Sequence, residues 1–175
     1  MIAKIKLHRI FCTFFGVGNI KIAPGTFGSL AGFLLWFSMS YLFFKMNLVL
    51  ADAIIFWTLF LPLLFFIGVK AANIFEKETK QKDASIIVID EVVGQILAIC
   101  LSFYFFIMAF DSQGAILLYF VAIFSLFRFF DIAKPGLIGY CDKKLKGGMG
   151  VMMDDVIAGI FSALIINFIV LLKLF

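Results

Sequence analysis

Two stretches of 25 residues, IIVIDEVVGQILAICLSFYFFIMAF (86–110) and VMMDDVIAGIFSALIINFIVLLKLF (151–175), are apolar almost throughout, yet each carries an adjacent acidic pair near its start. Each is long enough to cross a bilayer as a tilted helix. The pairs are Asp90-Glu91 and Asp154-Asp155. A carboxylate at the centre of a spanning helix costs about 2.5–3.5 kcal/mol. Four of them persist only if cations, protons or water satisfy them. Snorkelling to the headgroups explains lysines well, but Asp and Glu side chains are too short for it. The pairs therefore point to a site that holds a metal, carries protons or acts on a charged substrate.

The rest of the chain restricts the fold further. Of its 175 residues, 64% are hydrophobic and 25 are Phe, with a mean hydropathy of +1.14. A soluble core of this size cannot hide that much apolar surface. The expected fold is all-α: a single-domain (1–175), polytopic membrane bundle of about five spanning or partly spanning helices. The candidate spans are Gly28–Phe44, Leu48–Val69, Ile86–Phe110, Gly114–Ala133 and Val151–Phe175. The start MIAKIKLHRIFCTFFGVG is basic and then apolar but shows no convincing signal cleavage site.

Basic residues sort by side. Lys4, Lys6, Arg9 and Lys21 precede span one. Lys70, Lys77, Lys80 and Lys82 lie between spans two and three, and Lys134, Lys143, Lys144 and Lys146 between spans four and five. Only Lys45 and Lys173 fall on the other side, and Arg128 lies inside a span. The excess of basic loop residues puts the N-terminus in the cytoplasm and the C-terminus outside. Both acidic pairs, Arg128 and Asp131 then reach one depth near the cytoplasmic face, roughly 5–9 Å inside the boundary at 1.5 Å per residue.

Elimination narrows the chemistry. The single His8 cannot supply both nucleophile and acid for a two-histidine phosphatase, and is expected at the interface. Cys12, Cys100 and Cys141 form no CxxC pair, and none precedes a phosphate-binding turn; they read as reduced structural residues. There is no Asp-x-Asp nucleophile and no Walker sequence. Carboxylate clusters beside Gly-rich turns suit Mg²⁺, which joins carboxylates to phosphate oxygens while keeping several waters.

Three segments fit a phosphate. GVGNIKIAPGTFGSL brings Gly25 and Thr26 to a helix start, where backbone N–H groups attract anions; Thr26 could equally serve as a helix cap. The run Lys143 to Gly150 combines lysines with glycines, Gly148 among them, that allow close backbone approach. Arg128 and Asp131 share a helix face at i, i+3, either as an ion pair or as a phosphate clamp beside a metal ligand. Gly94 with Ala98, and Ala158, Gly159 with Ala163, follow the acidic pairs at spacings that allow close helix packing. FFIMAF and LPLLFF read as lipid-facing or packing surface.

Taken in order, APGTFGSL, IVIDEVVGQ, FRFFDIAKP and GGMGVMMDDVIAG resemble the signature blocks of the phosphatidylglycerophosphatase A family, from about Gly16 to Ala163. The resemblance implies a Mg²⁺-dependent, multi-pass lipid phosphatase of the bacterial inner membrane. Its substrate would be phosphatidylglycerophosphate, converted to phosphatidylglycerol on the cytoplasmic side. Matched by position, the polar residues are Thr26, Asp90, Glu91, Arg128, Asp131, Lys134, Asp154 and Asp155. Asp90, Glu91, Asp154 and Asp155 are expected to hold the metal, with Asp131 as a further ligand or base and Thr26 as a further catalytic candidate. Arg128, Lys134, Gly25, Thr26 and Gly148 are expected to bind the phosphate. Lys21 and Leu137 stand where many relatives carry Pro, and a His sometimes found near Ala84 is absent. The implied partners are the membrane and a phospholipid, not nucleic acid, with a homo-oligomer allowed.

Two rivals share some features. A CDP-alcohol phosphotransferase would need an Asp-Gly…Ala-Arg…Gly…Asp…Asp series, which this chain lacks. A cation transporter would use the acidic pairs but gives no reason for Arg128, Lys134 and the glycine loops.

Overall fold

Local chemistry sets where each helix starts and stops. The computed structural model describes residues 7–81, 84–110 and 112–173. In order, the helices are α1 (Leu7–Cys12), a 3₁₀ turn (Val17–Asn19), α2 (Pro24–Lys45), α3 (Leu50–Thr79), α4 (Ile89–Ala109), α5 (Gln113–Ala133), α6 (Leu137–Lys144) and α7 (Gly148–Leu171). Pro24 opens α2, where its missing N–H costs nothing and its fixed φ suits a helix. The Asp52 carboxylate accepts the Val49 N–H at 2.9 Å and caps α3. Ser112 caps α5 by accepting the Ala115 N–H at 3.2 Å. Helix α5 stops at Lys134, which turns left-handed (φ 44°) directly before Pro135.

Five helices, α2, α3, α4, α5 and α7, are long and apolar enough to cross a membrane, as the sequence predicts. No strand occurs among the described residues. The boundaries differ from expectation, beginning with α2, which starts at Pro24 rather than Gly28. Helix α3 continues past Val69 to Thr79, so Lys70 and Lys77 lie on a helix rather than in a loop. Hydropathy falls there, but the helical period persists: Gly68, Ala71, Ala72 and Phe75 stay buried. Helix α4 begins at Ile89, which puts Asp90 and Glu91 in its first turn instead of deeper in the span. Helix α7 begins at Gly148, so Asp154 and Asp155 lie about two turns in. Two short helices, α1 and α6, occupy segments read from sequence as a basic leader and a loop.

Helix α4 is the centre of the bundle and packs most extensively on α7, then on α2. Small residues make this possible. A Cβ on Gly159 would come within 2.5 Å of the Gly94 carbonyl, and Ala98, Ala158 and Ala163 are buried alongside. The expected close approach is present. Lower in the bundle, Ser102 and Tyr119 share a buried hydroxyl contact of 2.9 Å between α4 and α5. The outer faces carry exposed Leu34, Phe37, Leu59, Phe66, Met108, Leu117 and Phe168, the surface a hydrocarbon environment tolerates. FFIMAF and LPLLFF split by helix face: Phe105 and Leu63 are exposed, Phe106 and Leu64 buried.

Candidate active site

The starts of α2, α4 and α7 and the ends of α3 and α5 meet at one end of the bundle, and that end carries the charged residues singled out from the sequence. Three of them converge. Carboxylate oxygens of Asp90, Glu91 and Asp155 all lie within 4.8 Å of one another. Asp90 and Asp155 are buried, and Glu91 is nearly so. Asp90 Oδ1, Glu91 Oε2 and Asp155 Oδ2 are buried atoms with no hydrogen-bond partner among the described residues. Three mutually repelling carboxylates with unpartnered oxygens fit a hard divalent cation that takes oxygen ligands.

A basic flank faces this cluster. Arg128, in the last turns of α5, forms an ion pair with Asp131 one turn on, donates from Nη1 to Ser29 Oγ of α2 at 3.3 Å, and lies 4.0 Å from Glu91 Oε1. Gly25 of α2 closes the gap between them. A Cβ there would collide with Glu91 Oε1 and lie 3.2 Å from both terminal nitrogens of Arg128. Glycine at this position is thus required by close approach of the two charged side chains.

The second acidic pair divides its labour. Successive residues on a helix point about 100° apart, so Asp155 joins the α4 pair while Asp154 turns to Lys134. Lys134 Nζ donates to Asp154 Oδ2 at 2.5 Å and to Asp142 Oδ1 at 2.8 Å. Burial opposes the charge on Lys134, but these two hydrogen bonds outweigh it and hold its pKa above the usual lysine range. The expectation of four equivalent metal-facing carboxylates becomes three plus one. Asp154 stands outside the triad and, with Asp142, fixes the ammonium between α5, α6 and α7.

Two expected phosphate contacts lie differently. Ala23, not Thr26, occupies the N-cap of α2; Thr26 is half-buried in the first turn, and its side chain makes no hydrogen bond among the described residues. Gly148 donates its N–H to Asn73 Oδ1 of α3 at 2.9 Å, and a Cβ there would collide with the Val69 carbonyl. Its glycine has a packing reason. His8 lies 3.2 Å from Glu78, tying α1 to the end of α3. The three cysteines are free; Cys12 is fully buried on α1, and that burial pushes its thiol pKa up to about 11.

Sequence reasoning missed Ser29, Asn73, Asp142 and Gln95. Ser29 belongs to a small-residue stripe with Gly25, Gly28 and Gly32, all buried against α4, which a helical reading of APGTFGSLAG would have exposed. Asp142 needed α6 to be recognised as a helix. Asn73 sits beyond the expected end of span two.

Comparison with known proteins adds the chemistry. A family model described as phosphatidylglycerophosphatase A matches residues 10–170. The chain is 36% identical over 155 residues to a putative phosphatidylinositol-3-phosphatase of Bacteroides thetaiotaomicron, covering 88% of this chain and 87% of the relative. It is 36% identical over 153 residues to a phosphatidylglycerophosphatase A of Haemophilus influenzae, covering 87% and 82%. It is 33% identical over 155 residues to a phosphatidylglycerophosphatase A of Escherichia coli, covering 89% and 78%. No solved structure matches the chain.

Proposed function

The chain belongs to the phosphatidylglycerophosphatase A family and is a phosphatase, and we propose that it removes the terminal phosphate of phosphatidylglycerophosphate with Mg²⁺ held by Asp90, Glu91 and Asp155. The observation that carries this reading is the buried carboxylate triad set directly against Arg128 at one end of a membrane bundle. When bound, Mg²⁺ supplies Lewis-acid polarisation of the phosphoryl group and an activated water.

The residues of the chain do the rest. Asp90, Glu91 and Asp155 would hold the ion through hard oxygen ligands contributed by two helices, α4 and α7. Arg128 is oriented by Asp131 and Ser29 and offers a planar, permanently charged donor set to the phosphate oxygens. Lys134 stays cationic because Asp142 and Asp154 hold it so, and it adds positive charge on the α7 side of the site. In-line attack on a phosphomonoester needs positioning and charge neutralisation more than covalent chemistry. The site lies at one end of the apolar helices, where a lipid headgroup would meet it with its acyl chains along the exposed apolar faces. The lysines around this end support a site on the cytoplasmic face of a bacterial inner membrane, because basic loop residues are retained on that side.

Two relatives carry names for one lipid phosphomonoester and one relative for another, so the substrate arm of the test includes both. Purified protein in detergent is given phosphatidylglycerophosphate or phosphatidylinositol 3-phosphate, with Mg²⁺ or with EDTA. Phosphate release from the first, abolished by EDTA, is expected. Preference for the inositol lipid would overturn the substrate assignment, and undiminished release in EDTA would overturn the metal. A transporter would release no phosphate from either.

A further inference from the structure

Gln95 lies in α4 one turn beyond Glu91 and is fully buried, yet neither its Oε1 nor its Nε2 has a hydrogen-bond partner among the described residues. Buried amides are almost always satisfied, so one left with both ends open calls for a reason. Glu91 Oε2 is buried and open as well, and so is Arg128 Nε. Residues at i and i+4 share a helix face with Cβ atoms about 5–6 Å apart, so Glu91 and Gln95 project from one edge of α4. Helix α2 covers that side: Cβ atoms on Gly28 and Gly32 would lie 3.4 Å from Glu91 Cβ and 2.7 Å from the Val92 carbonyl. Gln95 is fully buried, so no lipid reaches it, and a single water can bridge polar groups that do not bond directly.

We propose that Gln95 is a positioning residue for the phosphatase site: through one buried water its amide holds the Glu91 carboxylate in the orientation that presents it to the metal and to Arg128. The inference rests on the assignment of Glu91 to the metal made above. Gln95 touches neither substrate nor ion; it acts through Glu91, as partners of ligating carboxylates do, and losing such a partner typically lowers metal affinity or activity by about 10–100-fold. Packing alone does not account for the residue, since an apolar side chain of the same shape would fill the space without two open polar atoms.

The test uses the full chain in detergent with phosphatidylglycerophosphate, comparing wild type, Gln95→Met, Glu91→Gln and the double variant. Gln95→Met should fold with a Tm close to wild type, because the two side chains are similar in size and the variant gives up only a water-mediated contact. Its kcat should fall by about 10–100-fold, with KM within about threefold. More Mg²⁺ should be needed for half-maximal protection against heat unfolding, a readout independent of turnover. In the Glu91→Gln background, Gln95→Met should add no further loss, since the group it positions is already gone. A kcat for Gln95→Met within about twofold of wild type, or a full additional loss in the double variant, would overturn the proposal. Gln95→Leu is read in the same way; if neither variant folds, the amide is a packing requirement and the proposal fails. Wild-type turnover in Glu91→Gln alone would instead overturn the metal assignment, leaving the two failures distinguishable.

Discussion

At the residue scale, the triad and its basic flank give sharply different expectations for neighbouring side chains. Asp90→Asn, Glu91→Gln and Asp155→Asn keep size while removing charge, and each should lower phosphate release by orders of magnitude and raise the Mg²⁺ requirement. The protein should still fold, because neutralising a buried carboxylate removes a desolvation penalty. Near-wild-type release by all three at the same Mg²⁺ concentration would overturn the assignment of a metal to these residues. Gly25→Ala tests the same site from the opposing helix. The added methyl would sit between Glu91 and Arg128, while the helix itself gains intrinsic stability of up to about 1 kcal/mol from losing a glycine. Activity should fall at least tenfold, by roughly 1.4 kcal/mol or more of barrier, with little change in Tm. Retained activity would mean that Glu91 and Arg128 need not approach each other there. Replacing Cys12, Cys100 and Cys141 together by Ala should leave most turnover. Cys12 is fully buried with its thiol pKa pushed up, and no cysteine belongs to the acidic cluster. Loss of turnover from the Cys141 change alone, in a folded protein, would require a thiol route.

At the scale of elements, Lys134 staples three helices. It ends α5 and reaches Asp142 of α6 and Asp154 of α7. Lys134→Met takes the ammonium away from Asp154, which is 3% exposed, and should cost about 2–4 kcal/mol, below the full penalty for a completely buried pair because the ammonium is partly exposed. Asp142→Asn keeps the Asp154 pair and should cost clearly less; equal Tm losses would deny the staple. The pH dependence follows from the raised pKa of Lys134 in the folded state. A group shifted upwards contributes its stability fully below its unfolded value, near 10.4, and loses it only as pH rises through the folded one. The Tm gap between wild type and Lys134→Met should therefore stay level from about pH 6 to pH 9. This staple marks the boundary of what the sequence discloses. The five apolar helices, the gathering of the acidic residues at one end of them and the small-residue seam of Gly94 and Gly159 were legible, because hydropathy and spacing are local properties. That Asp154 and Asp155 face different partners was not legible, because it depends on how α7 is rotated against α4 and α5. Asp142 was hidden by reading α6 as a loop, and the tail of α3 by equating the end of hydrophobicity with the end of the helix.

At the scale of the whole molecule, an odd number of spanning helices sends the ends of the chain to opposite sides of the membrane, and charge decides which is which. Among the described residues, Lys21, Lys77, Lys80, Lys143, Lys144 and Lys146 lie at or beyond the site end of the spans, whereas Lys45 and Lys173 lie at the other end. Lys4, Lys6 and Lys82, which add to the same asymmetry in the sequence, fall outside the described residues. Helix α3 is longer than its apolar part and carries Lys70, Glu76 and Lys77 past it at the site end. A lysine excess near span ends is retained on the cytoplasmic side, and a phosphatase site at that level meets a lipid headgroup from the same leaflet. A reporter active only in the cytoplasm should therefore work when inserted near Lys80 and fail when fused after Phe175, with a reporter active only outside giving the reverse. If both positions report the cytoplasm, one of the five apolar helices does not cross, and the first suspect is α2, the least hydrophobic of them. If both assignments invert, the triad, Arg128 and Lys134 face the outside, and a substrate drawn from the cytoplasmic leaflet is ruled out.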